Sequence, residues 1–140
     1  MSAMQRRKGQ NGERELFALL SEHLGFVVRR NVDQARKGGA DGIEVPGWAI
    51  EVKRHESGFR SEWWWQAREQ AANVLARPAL AYRASRQPWR VRLLLEDACN
   101  SIRQDKKHHL WLENALWIEC DLETFAFIVR ESLPKQEQAA

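Results

Sequence analysis

The stretch Asp41-Gly42-Ile43-Glu44-Val45-Pro46-Gly47-Trp48-Ala49-Ile50-Glu51-Val52-Lys53 decides the fold. Two strand-like runs, Asp41–Val45 and Trp48–Lys53, flank Pro46-Gly47, as two antiparallel strands around a tight turn do. Side chains alternate along a strand, so Ile50 and Val52 share the face that can be buried while Glu51 and Lys53 share the other. A carboxylate and an ammonium thus stand side by side at a strand's end, an arrangement also common on the wet face of ordinary strands. Asp41 follows Gly38-Gly39, where the backbone can come close to a phosphate. The hairpin brings Asp41 within reach of Glu51 and Lys53 on one condition. A strict two-residue turn pairs Asp41 with Val52 and points it to the wrong face, so a three-residue turn or a bulge is expected, with Val45 opposite Ala49 and Asp41 opposite Lys53.

Upstream, Leu16, Phe17, Leu20 and Leu24 recur at helical spacing from about Asn11 to Leu24, and Gly25 is placed to stop the helix. Phe26 to Arg30 reads as a short strand and Asn31 to Gly39 as a polar, basic loop. Downstream, a helix is expected from about Ser61 to Ala76, then strands near Ala79–Arg83 and Arg90–Leu95 around a turn at Ser85–Pro88. Glu96 to Leu116 looks mostly helical, and Asp121 to Ser132 reads as a closing helix capped by Asp121. This order gives an α/β domain with a mixed sheet flanked by helices, a fold that names no activity by itself.

The chain has 140 residues, enough for one domain with a real core and no need of staples. The only soft parts expected are residues 1–5 and 134–140. No apolar run approaches the ~20 residues of a membrane span, and Met1 to Gln10 is polar and basic, so a cytoplasmic protein with no membrane partner is expected. Two cysteines, Cys99 and Cys120, without C-x-x-C spacing signal neither a disulfide framework nor a zinc site. Charge is uneven: the first hundred residues carry 17 basic and 12 acidic side chains, the last forty 5 and 7. The basic part suits a polyanion, whose neutralised phosphates release counterions, though an ordinary solvated surface reads the same way.

A third carboxylate joins Asp41 and Glu51 from the first helix. At 100° per residue Glu13 falls at the centre of the Leu16, Phe17, Leu20 and Leu24 stripe, whereas Glu15 and Glu22 point away. A carboxylate on a buried stripe must be paired, protonated or holding a cation; in an exposed first turn it merely complements the helix dipole. Asp41, Glu51 and Glu13 together make an oxygen-rich cluster suited to a hard cation such as Mg²⁺, with Mn²⁺ as its natural substitute, and Lys53 beside it. That set points to metal-dependent phosphodiester hydrolysis.

Asp41 followed by Glu51-Val52-Lys53 resembles the PD-(D/E)XK nuclease signature, with Ala40 in place of the usual proline. Arg7-Lys8-Gly9, Gly12-Glu13-Arg14-Glu15-Leu16, Leu19-Leu20 and Gly25-Phe26-Val27-Val28 are similar to the opening of archaeal-type Holliday junction resolvases, over roughly residues 6 to 54. The resemblance implies a restriction-endonuclease-like core and a homodimer. It also implies metal at Asp41 and Glu51 with Val52 and Glu13 as further candidates, catalytic help from Lys53 and Glu13, and phosphate contacts near Arg14 and Arg30. Arg7, Lys8, Arg36 and Lys37 complete the candidate DNA-binding set. The implied enzyme is a Mg²⁺-dependent DNA endonuclease, with branched DNA as one substrate. A restriction-like or repair nuclease on duplex or flap DNA, and an idle nucleic-acid-binding module, are its rivals.

Trp63-Trp64-Trp65-Gln66 departs from the resolvase pattern and resembles other PD-(D/E)XK nucleases that carry a glutamine on the helix after the Glu-x-Lys strand. Gln66 is therefore a candidate for positioning water or substrate, and equally a plain helix-surface amide. Three consecutive tryptophans lie about 100° apart on a helix, so at least one is exposed or at an interface, where it stacks on bases or packs against protein. His55 adjoins the site and reads as a bystander. His108-His109 lacks zinc-ligand spacing.

Overall fold

The computed structural model describes residues 2–26, 28, 45–99 and 115–133. Helix α1 spans Ala3–Leu24, longer than its apolar stripe alone dictates. Residues 3–10 extend it because Ser2 and Gln5 form a reciprocal capping box: the Ser2 hydroxyl accepts from the Gln5 backbone, and the Gln5 side chain accepts from Ser2 N–H. Gly25 ends it in the left-handed conformation, φ 80°. The expected strand at 26–30 lies largely outside the described residues, as do the loop at 31–39 and the first arm of the hairpin. Residues 134–140 lie outside them too.

Strand β1 is Trp48–His55, followed by α2 (Ser61–Asn73), β2 (Arg77–Ala84), β3 (Arg90–Leu94), a single turn α3 (Leu95–Ala98), β4 (Trp117–Asp121) and α4 (Leu122–Ser132). Helix α2 stops short of the expected Ala76 where Leu75 turns into the left-handed region, φ 54°. β1 and β2 are parallel, with α2 as their crossover, while β2–β3 and β3–β4 are antiparallel. The result is a four-stranded mixed sheet in the order β1-β2-β3-β4, flanked by helices: an α/β domain with a restriction-endonuclease-like core. Asp121 caps α4 as expected, its carboxylate accepting from Thr124 N at 2.7 Å. β4 was not foreseen. Of the expected helical stretch at 96–116, α3 supplies one turn, and residues 100–114 lie outside the described residues.

Alternation on the strands divides the core. Ile50, Val52, Ala79, Ala81, Val91 and Leu93 pack under α1 and α4 against Leu16, Leu20, Phe125 and Val129. Leu80 and Leu94 face the other way, under Trp63, Trp64 and Ala67 of α2, and Ala49 meets Ala71 where the helix comes close. No helix among the described residues is long and apolar enough to cross a membrane.

Candidate active site

β1 is placed by the turn before it and by its neighbour. Trp48 N–H donates to the Val45 carbonyl at 3.0 Å, and Val45 bridges Trp48 across Pro46-Gly47, with Gly47 at φ 80°. Proline followed by a residue with positive φ is the type II arrangement. The turn is therefore the strict two-residue one, and the expected pairing of Val45 with Ala49 is corrected to Val45 with Trp48. The reason is local: Pro fixes φ at the first turn position and Gly alone tolerates the second, so nothing favours a third residue. Asp41, whose face that register governs, lies outside the described residues.

From this turn β1 runs with Trp48, Ile50 and Val52 buried under α1, and Glu51, Lys53 and His55 on the face beneath α2. Glu51 is 1% exposed, and the Lys53 Nζ lies 3.1 Å from its Oε1. Burying a carboxylate costs free energy unless a partner holds its charge, and here the adjacent ammonium does so while keeping 28% of its own side chain in solvent. His55 is next on the face. Its Nδ1 accepts from Ser57 N–H at 3.2 Å and lies 2.8 Å from the Ser57 hydroxyl, and its ring tilts toward Trp63 with centroids 6.0 Å apart. Gln66 is half-buried one turn beyond Trp63, on the helix covering this face.

Glu13 sits in the other layer. The buried stripe of α1 is Gly12, Leu16, Leu20 and Leu24, leaving Glu13 about 40° from its centre and half-buried. Gly12 lies directly on Arg54 of β1, so Glu13 is level with the Glu51–Lys53 end of the strand but on the α1 side of the sheet. Val52 offers a main-chain oxygen only, its side chain being buried in the α1 layer. Arg7 and Arg14 are exposed on α1, and Lys8 Nζ pairs with Glu56 at 3.1 Å. Arg30, Arg36 and Lys37 lie outside the described residues. Within the described residues no three acidic, histidine or cysteine side chains gather as a metal site. The described donor set contributes one buried carboxylate with a main-chain oxygen next to it, a hard-oxygen half-site that fits Mg²⁺ once a second carboxylate joins.

Two clusters escaped the sequence reading. Glu15, expected to point away, accepts from Trp89 Nε1 at 3.0 Å, pairs with Arg83, and has Arg54 3.9 Å away, tying α1 to the ends of β1 and β2. On the α2 face, Tyr82 donates to Glu119 Oε2 at 2.7 Å, and Arg92 Nε donates to Glu119 Oε1 at 2.8 Å. Burial and the Glu119 bond together push Tyr82 up to about 12. Strand register was the signal available for this second cluster: Arg92 pairs with Glu119 across β3 and β4, and β4 itself was not recognised.

A comparison with protein families matches residues 4–131 to the family described as "Phage putative PDDEXK endonuclease". The chain belongs to that family. The match covers nearly its whole length and reaches every described element, stopping one residue inside each of the two terminal helices. No curated protein and no solved structure matches it. Within the matched range, the structure presents Glu51 as a buried carboxylate paired with Lys53.

Proposed function

We propose that the chain is a Mg²⁺-dependent endonuclease that hydrolyses phosphodiester bonds of DNA, with Asp41 and Glu51 as metal ligands, Glu13 of the α1 layer completing the oxygen set through water or directly, and Lys53 as the catalytic amine. The observation that carries this reading is the 3.1 Å pair of Lys53 with the buried Glu51 on β1 of a chain in a PDDEXK endonuclease family. Bound Mg²⁺ supplies charge to polarise the phosphodiester and makes a water more acidic. The chain's own residues do the rest. Burial holds Glu51 in one position, so its oxygens are preorganised for a cation. Lys53 has three protons and spends one on Glu51, leaving donors for the attacking water or a phosphoryl oxygen. Gln66 aligns water or substrate from α2, and Arg7, Lys8 and Arg14 of α1, with Arg30, Arg36 and Lys37, hold backbone phosphates.

Branched DNA and a homodimer follow only from the resolvase-like residues 6 to 54, and comparing cleavage of a four-way junction, a flap and a linear duplex decides between them and a restriction- or repair-type substrate. The decisive test is cleavage with Mg²⁺ by the wild type, Glu51→Gln and Lys53→Ala. Each variant is expected to lose roughly a hundredfold or more in rate, while thermal melting of Glu51→Gln stays at or above the wild type because a desolvated charge has been removed and Lys53 can turn to water. Cutting retained by both variants overturns the site; DNA binding without cutting by the wild type leaves the idle binding module.

A further inference from the structure

The three tryptophans divide their work. Trp63 turns toward His55, Phe59 and Tyr82 on the active-site side of α2, and Trp64 is buried against the sheet. Trp65, 49% exposed, faces a groove of about 500 Å³ between α2 and the start of β4. Trp117, 47% exposed, stands on the groove's other wall. Both rings are backed by guanidinium groups. Arg68 lies over Trp65 at 4.8 Å, and Arg92 is stacked between Phe59 at 4.0 Å and Trp117 at 3.6 Å. Among the described residues the lining contains these two arginines and no carboxylate, and Glu119 beneath it is already bonded by Arg92 and Tyr82.

Two flat aromatic walls with cations behind them are complementary to one kind of occupant: a planar, uncharged ring joined to an anion. A nucleobase on its phosphodiester strand has that chemistry: its flat face matches the exposed rings of Trp65 and Trp117, and its backbone phosphates match the guanidinium groups held against those rings. Position agrees. Glu51, Leu80 and Arg92 lie in one cross-strand row, so Arg92 is two strand spacings, roughly 10 Å, from Glu51. At about 3.4 Å of rise per nucleotide that is some three nucleotides. Stacked bases inside a duplex hide their faces, so only an unpaired one can enter.

We propose that the groove between α2 and β4 stacks an unpaired base of the DNA substrate on Trp65 and Trp117, a few nucleotides from the phosphate cut at Glu51 and Lys53. This deepens the endonuclease reading and rests on it: the enzyme selects DNA with a single-stranded segment beside the cut, such as a fork, flap or frayed end.

The test measures equilibrium binding of the full chain to fluorescein-labelled oligo-dT, to a blunt duplex, and to a fork built from that duplex with dT arms. EDTA is present so that no DNA is cut. Wild type is expected to prefer the fork and oligo-dT, with quenching of its tryptophan fluorescence. Trp65→Ala and Trp117→Ala should each reduce the fork-to-duplex affinity ratio by roughly five- to hundredfold, and Trp65→Tyr should restore most of it. Melting curves of each variant confirm that the fold persists. A ratio unchanged by either variant overturns the proposal, as does a parallel fall on fork and duplex. Loss of a dimer in size-exclusion chromatography with the ratio unmoved also overturns it, and makes the groove a contact between copies. Failure of the endonuclease reading looks different: the wild type would then bind DNA in Mg²⁺ without cutting it, or Glu51→Gln and Lys53→Ala would both cut like wild type, whatever the groove variants do to the binding ratio.

Discussion

The two faces of the sheet are made by the same strands and do opposite things. Under α1 and α4, the alternate residues Ile50, Val52, Ala79, Ala81, Val91 and Leu93 meet Leu16, Leu20, Phe125 and Val129 in a continuous apolar layer. Under α2, the intervening residues Glu51, Lys53, His55, Tyr82 and Arg92 share the sheet with a smaller cluster of Trp63, Trp64, Ala67, Leu80 and Leu94. A one-residue alternation thus separates what holds the fold from the groups to which the proposed chemistry is assigned. Charged and phenolic groups on the second face are tolerated where a partner meets them, as Lys53 meets Glu51 and Tyr82 with Arg92 meets Glu119. The first face is where the hydrophobic contribution to stability concentrates.

The largest effect expected from this division is on the apolar side. Phe125 is 1% exposed and meets Trp48 edge to face with centroids 5.2 Å apart, while Trp48 Nε1 donates to the Ser132 hydroxyl at 2.9 Å. Phe125→Ala opens a cavity between α4 and β1 and should cost about 3–5 kcal/mol by urea denaturation. Glu51→Gln, at the same depth on the opposite face, should move stability far less. Comparable losses from the two substitutions would break the comparison.

A smaller effect sharpens it at the junction of α1 with β1. A Cβ at Gly12 would lie 2.9 Å from the Arg54 Cβ and 3.2 Å from its Cδ, whereas a Cβ at Gly9 meets nothing within 4 Å. Both glycines lie inside the same helix, where alanine is favoured by about 1 kcal/mol. Gly9→Ala should therefore stabilise by a few tenths to about 1 kcal/mol. Gly12→Ala should instead lose about 1–2 kcal/mol net, because the clash is with an atom anchored to the strand and forces the helix off the sheet. The measurement is the same denaturation series, and two gains of equal size would mean that α1 does not sit on Arg54.

These pairs also show what could be read in advance. The Glu51–Lys53 alternation, the Gly25 stop and the Asp121 cap each depend on one or two neighbouring residues, and all were legible. The start of α1 was missed because residues 3–11 are mostly polar and exposed, although Ser2-x-x-Gln5 carries a capping signal. β4 was missed because it is a short strand, Trp117–Asp121, whose alternation of Ile118 and Cys120 with Trp117 and Glu119 is too brief to stand out beside its charges. The turn register went wrong for a different reason: it was chosen to bring Asp41 to Glu51, a functional argument overruling the backbone preference of Pro-Gly. Glu15 was assigned by helical angle alone, and its partners Arg83 and Trp89 come from distant parts of the chain that no local pattern connects.

The smallest effect concerns the polar face and one proton. Tyr82 is the chain's single tyrosine, so its ionisation can be followed by ultraviolet absorbance without overlap from another phenol. Burial and donation to Glu119 hold it protonated up to about 12, against about 10 for an unfolded chain. Between those values the unfolded state releases a proton that the folded state keeps, so the stability this group contributes is full below pH 10 and declines as pH rises toward 12. The native protein should therefore show a phenolate transition displaced upward from that of the denatured chain, and Glu119→Gln, which keeps an acceptor but removes the negative charge, should return part of the displacement. A native transition near 10 would mean that the Tyr82–Glu119–Arg92 cluster is open to water, and the two faces of the sheet would differ less in order than in composition.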